Sequence, residues 1–297
     1  MIGPITLKRA TKRLAGWAAV LTEMLTRDSI DAACIFYYHR IADLGFVDPH
    51  VDDRNVTPRV FEKQIARLAS VAEFLPLHDL QHKVASPPTQ HRPFVCLTFD
   101  DGYANFCAQA LPILKRYNVP ATVFVITSLI GRQGPLPFDS WSRRNSHRAP
   151  PETWRSMNWG EIEACLSSGL ITIGAHSHRH LKGRECTEAQ LREEVEQSRD
   201  VMRSRLGEAQ ARAYAYPYGS SRLGYVPESY VNAVRAAGYE LAVTTDLGLA
   251  SADSDPYLLP RIEAHGLDSP AMLRAKANGA LAPYYLTDRL RMAKRAV

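Results

Sequence analysis

Two aspartates in a row, Asp100 and Asp101, follow the apolar run Phe94–Phe99 and precede Gly102. Adjacent carboxylates at a strand end repel each other, and a bound cation relieves that cost. Neighbouring residues diverge in direction, so one carboxylate can hold a cation while the other faces a substrate. Read alone, the same residues make an ordinary Asp-Gly turn. A second cluster, His176, Ser177, His178, Arg179 and His180, follows the apolar run Leu170–Ala175. His176 and His180 stand four apart, which on a helical turn puts both rings on one face, as in zinc-binding helices. A lone histidine is more often structural than a ligand, but here three fall within five residues after a buried strand. Two imidazoles and one carboxylate make a three-ligand site with an open position for water, the pattern of catalytic zinc. His178, between the pair, is expected to point away. The turn Tyr216–Gly219 contains Pro217 and Tyr218. It either aims a peptide N–H into a cleft or merely packs its rings. His39 follows the run Ala32–Tyr38 and could donate a proton near neutral pH, although by itself it reads as a satisfied polar residue.

These residues need a scaffold that brings strand ends together. Apolar runs at Ala32–Tyr38, Phe94–Phe99, Ala121–Ile126, Leu170–Ala175, Ala213–Tyr216, Glu240–Thr245 and Leu258–Ile262 read as strands. Helical patterns at Val60–Leu68, Ala104–Tyr117, Trp159–Ser168, Thr187–Leu206 and Pro227–Ala237 lie between them. Thr187 with Gln190 forms a capping box and Gly207 a stop. Such alternation predicts a parallel sheet with crossover helices, and strands apolar throughout are expected when both faces are covered. The first choice is an α/β fold of the closed or partly closed barrel type, with an open doubly wound sheet second. In such a barrel the loops after the strands carry the site. The long irregular stretch Ile130–Met157 reads as a lid or a binding insertion. Trp141 and Trp154 within it, and Trp159 beside it, could stack on a bound ligand or anchor the loop.

Composition narrows the class. With 297 residues, 45% of them hydrophobic, the chain has ample material for a large core. The net charge of +5 sits at the ends: Lys8, Arg9, Lys12 and Arg13 near the start, and Arg289, Arg291, Lys294 and Arg295 against Asp288 near the finish. The intervening body is slightly acidic, which argues against nucleic acid as a partner. The basic termini suit solvated helix faces or a peripheral contact with an anionic membrane surface. Five cysteines without CxxC spacing give neither a disulfide framework nor a thiolate zinc site. Cys34 and Cys96 read as buried small hydrophobes, and the set leans towards a reducing, cytoplasmic compartment. No apolar stretch reaches the length that spans a bilayer. The segment from Ile5 to Thr26 is expected to form an amphipathic helix docked on the body or on a membrane surface. The expected organisation is an N-terminal helix over residues 1–30, a catalytic barrel over 31–270 and a basic tail over 271–297.

TFDDGY (Thr98–Tyr103), HSHRH (His176–His180) and AYPYG (Ala215–Gly219), in this order, resemble the polysaccharide deacetylases, the NodB-homology group of carbohydrate esterase family four. The resemblance implies a distorted (β/α)7 barrel and a metal-dependent hydrolase that removes N-acetyl groups from acetylated amino sugars in a saccharide, releasing acetate. It makes Asp100 the general base, and Asp101, His176 and His180 the ligands of a divalent metal, zinc first, with cobalt or nickel as alternatives. Tyr218, after Pro217, would offer its backbone N–H to the oxyanion. Two positions depart from the family pattern. An arginine that braces the catalytic aspartate in many members is replaced by Ala215, and Arg261 is the candidate substitute. The acid histidine of a late motif is matched only by His265. The YYHR segment, Tyr37–Arg40, is similar instead to the poly-N-acetylglucosamine deacetylase branch, which makes His39 the favoured acid. Weighed beside this reading are a metal-dependent C–N hydrolase of lipid- or nucleotide-linked amino sugars or of non-sugar amides, and a saccharide-binding module descended from an enzyme.

Overall fold

In a computed structural model, which describes residues 4–25, 31–46, 55–88, 92–281 and 283–284, the apolar runs form one curled, mainly parallel sheet. Its strands are β1 (Ala32–Tyr38), β2 (Phe94–Phe99), β3 (Ala121–Val125), β4 (Ile171–Ala175), β5 (Ala213–Ala215), β6 (Leu241–Val243) and β7 (Ile262–Glu263). β1 to β6 pair in that order. Tyr38 is opposite Phe99, Val125 opposite Ala175, and Ala175 opposite Tyr214. β7 returns to β1 through Phe36–Ile262 and Tyr37–Glu263, and a single bridge links Val243 to Leu259. The result is the distorted α/β barrel, closed loosely along one seam. The short pair Ala250–Ser251 with Ala32–Ala33 is antiparallel.

Side-chain alternation divides the core into two layers. Cys34, Phe36, Leu97, Phe99, Val123 and Ile173 face the surrounding helices. Ala33, Ile35, Cys96, Phe124, Ala215 and Val243 fill the interior of the curl. Gly174 on β4 is required by this filling, because a Cβ there would collide with the Phe124 ring. The principal helices are α1 (Pro4–Leu25), α2 (Pro58–Val71), α3 (Leu111–Tyr117), α4 (Trp159–Leu166), α5 (Glu188–Leu206), α6 (Glu228–Ala236) and α7 (Pro270–Ala277). Capping boxes start α4 at Asn158 with Glu161 and α5 at Thr187 with Gln190. No helix among the described residues is long and apolar enough to cross a membrane. The basic residues of 288–297, and residues 26–30 at the expected end of the N-terminal helix, lie outside the described residues.

Three expectations need correction. The helix expected over Ala104–Tyr117 begins with a π-helical turn, Phe106–Ala110, before α3; such turns favour functional neighbourhoods, and this one follows the aspartate pair. The strand expected over Leu258–Ile262 is instead a bridge at Leu259 and a strand from Ile262, because Pro260 carries no donor for a continuous ladder. The stretch Ile130–Met157 holds a short helix, Ser140–Asn145, and is pinned to the barrel. Arg40, next to β1, donates to Asp139 and, at 2.9 Å, to the Tyr103 hydroxyl, which itself donates to Asp139 at 2.6 Å. These bonds tie the stretch to the barrel, which counts against a lid and leaves the binding insertion.

Candidate metal centre

Parallel strands place their following loops at one end of the sheet, so Asp100 and Asp101 after β2 meet His176–His180 after β4 and Tyr218 after β5. Asp101 Oδ1 lies 3.5 Å from Nε2 of His176 and 3.5 Å from Nε2 of His180. The three side chains offer ligand atoms within 4.8 Å of one another. Ligands of a tetrahedral ion with bonds of about 2.0–2.1 Å stand about 3.3 Å apart, so this donor set fits a divalent cation of that size. All three side chains are nearly removed from solvent.

The two histidines converge by a route other than the one their spacing predicted. The segment after β4 is not helical. Ser177 and His180 adopt left-handed backbone, φ 61° and 62°, and Asp101 does so at 71°. Tyr218, at 60°, is the fourth site residue in this region, and the remaining non-glycine case among the described residues, Asn118, caps α3. Such backbone costs of order 1–3 kcal/mol per residue and persists where surrounding contacts enforce it. Those contacts are present. His180 N–H donates to Ser177 Oγ at 2.9 Å. The fully buried Glu194 of α5 accepts from the Arg179 N–H at 2.7 Å and from its guanidinium at 2.5 Å. His178 points away, with Nδ1 2.9 Å from Thr127 Oγ1.

His176 Nδ1 lies 2.7 Å from the Ala215 carbonyl oxygen. A carbonyl only accepts, so Nδ1 carries the proton and Nε2 keeps its lone pair towards Asp101. Burial holds the His176 pKa below its ordinary value, against the opposing pull of Asp100, which favours the neutral ligand form. Phe138, from the pinned stretch, stacks on His180 with ring centroids 3.8 Å apart and planes 17° apart, and the Tyr218 ring stands 5.0 Å away on a tilt.

Asp100 is clasped by Arg261. Nη1 and Nη2 donate to its two oxygens at 2.8 Å each, while Nη1 also reaches Thr98 Oγ1 at 3.0 Å and Nε the Thr244 carbonyl at 2.8 Å. Arg261 is buried against the Tyr37 ring, 4.6 Å from its centroid, so it faces Asp100 and not the open cleft. Burial alone would raise the Asp100 carboxyl. Arg261, with lesser help from His176 and His39, lowers it to about 2. Asp100 is therefore an anion at any working pH.

The remaining candidates divide. Pro217 is buried beneath the turn, and the Tyr218 carbonyl is tied by Ser220 N–H and Thr245 Oγ. The Tyr218 N–H has no acceptor among the described residues. His39 lies on the inner face two residues beyond Tyr37, with the two rings edge to face at 5.8 Å. His265 sits in a rim network, 3.1 Å from Glu263 and 3.2 Å from Lys12 Nζ. Trp141 is buried under Arg40, Trp154 donates to the Ala149 carbonyl, and Trp159 packs on the core, so all three anchor. Phe138, Glu194 and the Arg40–Asp139 pair are site-building residues that motif spacing missed. Arg40 of YYHR and the Tyr of TFDDGY hinted at the last.

Known proteins resemble this chain in sequence and in fold. The profile of the polysaccharide deacetylase family matches residues 88–242. YxkH of Bacillus subtilis (strain 168), which carries a polysaccharide deacetylase name, is 29% identical over 178 residues, 60% of this chain and 52% of that one, so the match spans about half of that relative's length. The poly-beta-1,6-N-acetyl-D-glucosamine N-deacetylase of Staphylococcus aureus (strain MSSA476) is 24% identical over 250 residues, 78% of each chain. Among solved structures, IcaB from Ammonifex degensii superposes with a TM-score of 0.66 at 22% identity, covering 84% of this chain and 98% of that one, a likeness of fold.

Proposed function

Because the chain belongs to the polysaccharide deacetylase family, we propose that it hydrolyses the N-acetyl group of an acetylated amino sugar within an oligo- or polysaccharide, releasing acetate and a free amine. The observation that carries this reading is the pairing of an Arg261-clasped Asp100 with the Asp101–His176–His180 cluster at one end of the sheet. The clasp supplies the brace that Ala215 cannot, which favours an enzyme over a binding module descended from one.

Asp101, His176 and His180 would hold a divalent cation, zinc before cobalt or nickel, and that cation would supply a Lewis acid for water and for the acetamido carbonyl. Asp100, kept anionic by Arg261, takes the proton of the attacking water. The Tyr218 N–H donates to the carbonyl oxygen as charge develops there; one such donor is typically worth about 10²–10³ in rate. His39 gives its proton to the departing nitrogen as the C–N bond breaks, a role worth roughly 10²–10⁴. His39 is preferred to His265 because it shares the inner face with Tyr37 and its charge is felt at Asp100, whereas His265 is engaged by Lys12 and Glu263.

The test is mass-spectrometric screening of acetylated oligosaccharides beside lipid- and nucleotide-linked acetylated amino sugars. Loss of a single acetyl group from a saccharide, matched by acetate, is the expected result. Acetate from the linked sugars alone would move the substrate class, and saccharide binding without acetate would overturn the enzymatic reading.

A further inference from the structure

Leu14, Trp17 and Leu21 of α1 point away from the body on which the helix packs. Its inner face is built of small residues. Ala15 and Ala19 are buried, Gly16 lies directly against Met272 of α7, and Ala19 packs with Ala275 and Ala280. Glu23, the one acidic residue of the helix, turns inward to Arg274 and Asn278. The outer face carries Leu14, Trp17 and Leu21, which are 69%, 56% and 62% exposed. Their spacing of three and four residues puts them on one stripe. Among the described residues the other exposed large hydrophobics are Tyr218 and Leu258, at 37% and 36%.

The stripe adjoins a cationic stretch. Lys8, Arg9, Lys12 and Arg13 occupy the first turns of the helix with no acid among them, and Arg13 is exposed. Lys12 secures the helix to His265, just past the end of β7, which is also the end of the sheet that bears Asp100. An apolar stripe with an indole in it, bordered by cations, suits the boundary between lipid headgroups and acyl chains. A second copy of the chain suits it less. Two such cationic stretches would repel, and three side chains of one helix fall well short of the ~800 Å² per partner in a standard interface.

We propose that the outer face of α1 seats the protein on an anionic phospholipid bilayer, with Leu14, Trp17 and Leu21 entering the interface and Arg13 beside them meeting lipid phosphates. This does not depend on the deacetylase reading. A bilayer at α1 would lie beside the mouth of the barrel.

The test uses the full chain in sedimentation with phosphatidylcholine vesicles, with and without phosphatidylglycerol. The intact protein is expected to partition onto the anionic vesicles, less at high salt. The variant Leu14→Ser/Trp17→Ser/Leu21→Ser is expected to lose about a hundredfold in partitioning while keeping its circular dichroism and melting temperature, since all three side chains are exposed. Brominated lipids should quench the intact protein more than Trp17→Phe. The proposal fails if the intact chain ignores anionic vesicles, or if the triple variant binds them equally. It fails in favour of self-association if light scattering finds a dimer that the triple variant abolishes, with no vesicle binding by either protein.

Discussion

Replacing Arg261 by methionine isolates the clasp on Asp100. The arginine is buried and makes two 2.8 Å bonds to one carboxylate, whose own side chain is 3% exposed. Removing one partner of such a pair leaves a buried charge uncompensated and costs about 3–5 kcal/mol. For a chain this long that is a fall of roughly 6–10 °C in melting temperature. The pH dependence identifies the cause. In the native chain Asp100 titrates at about 2 in place of its ordinary 3.8, which corresponds to about 2 kcal/mol of stability. That stability is fully present above 3.8 and is lost as pH falls through about 2. In Arg261→Met, burial is opposed only by the lesser pull of His176 and His39 and raises the carboxyl instead. The variant is therefore penalised at neutral pH and recovers as acid neutralises Asp100. Urea unfolding of the chelator-stripped proteins, at neutral pH and near pH 3, reads the difference without a cation beside the pair. The deficit should narrow by about 1 kcal/mol from the native chain's loss alone, and further as Asp100 of the variant takes up its proton. A deficit below about 1 kcal/mol at neutral pH, or one that does not change with pH, would refute the reasoning.

Other consequences follow from the contacts around the two histidines. Glu194→Gln keeps the shape but weakens the tie to Arg179, so it should loosen zinc binding measured by competition with a chromophoric chelator, by roughly 10–100-fold, the range for residues that orient metal ligands. Unchanged affinity would leave Glu194 with a purely structural part. Phe138→Ala removes the ring stacked on His180 and should likewise weaken zinc binding, by about tenfold, with melting of the stripped protein changed far less than a core truncation would. His39→Ala should lower kcat by about 10²–10⁴, and His265→Ala by much less; the opposite ranking in a steady-state acetate-release assay moves the proton donor to His265.

The sequence displayed the scaffold more readily than the joints. Strand–helix alternation sufficed for the barrel, because its strands are uniformly apolar and its helices carry strong caps such as Thr187 with Gln190. The motifs located the carboxylate and the two imidazoles of the donor cluster, Asp101, His176 and His180, but their spacing misjudged how the histidines meet. Four residues of separation suggests a helical face, whereas the chain uses left-handed Ser177 and His180. A positive φ at a serine or histidine has no sequence signature comparable to glycine's. Arg261 could be nominated because a missing charge partner implies a substitute. Phe138 and Glu194 could not, since each reaches the site from an element with no motif of its own: the pinned stretch and the buried face of α5. Pro260 was visible in the sequence, and its missing donor explains the short final strand.

The central claim is that one carboxylate and two imidazoles share a single cation. Elemental analysis of the purified chain by plasma mass spectrometry, after dialysis against zinc, tests it most directly when paired with Asp101→Ala and His176→Ala. The account predicts a single bound ion per intact chain and almost none in either variant, with folding retained. Full metal occupancy in both variants would contradict it.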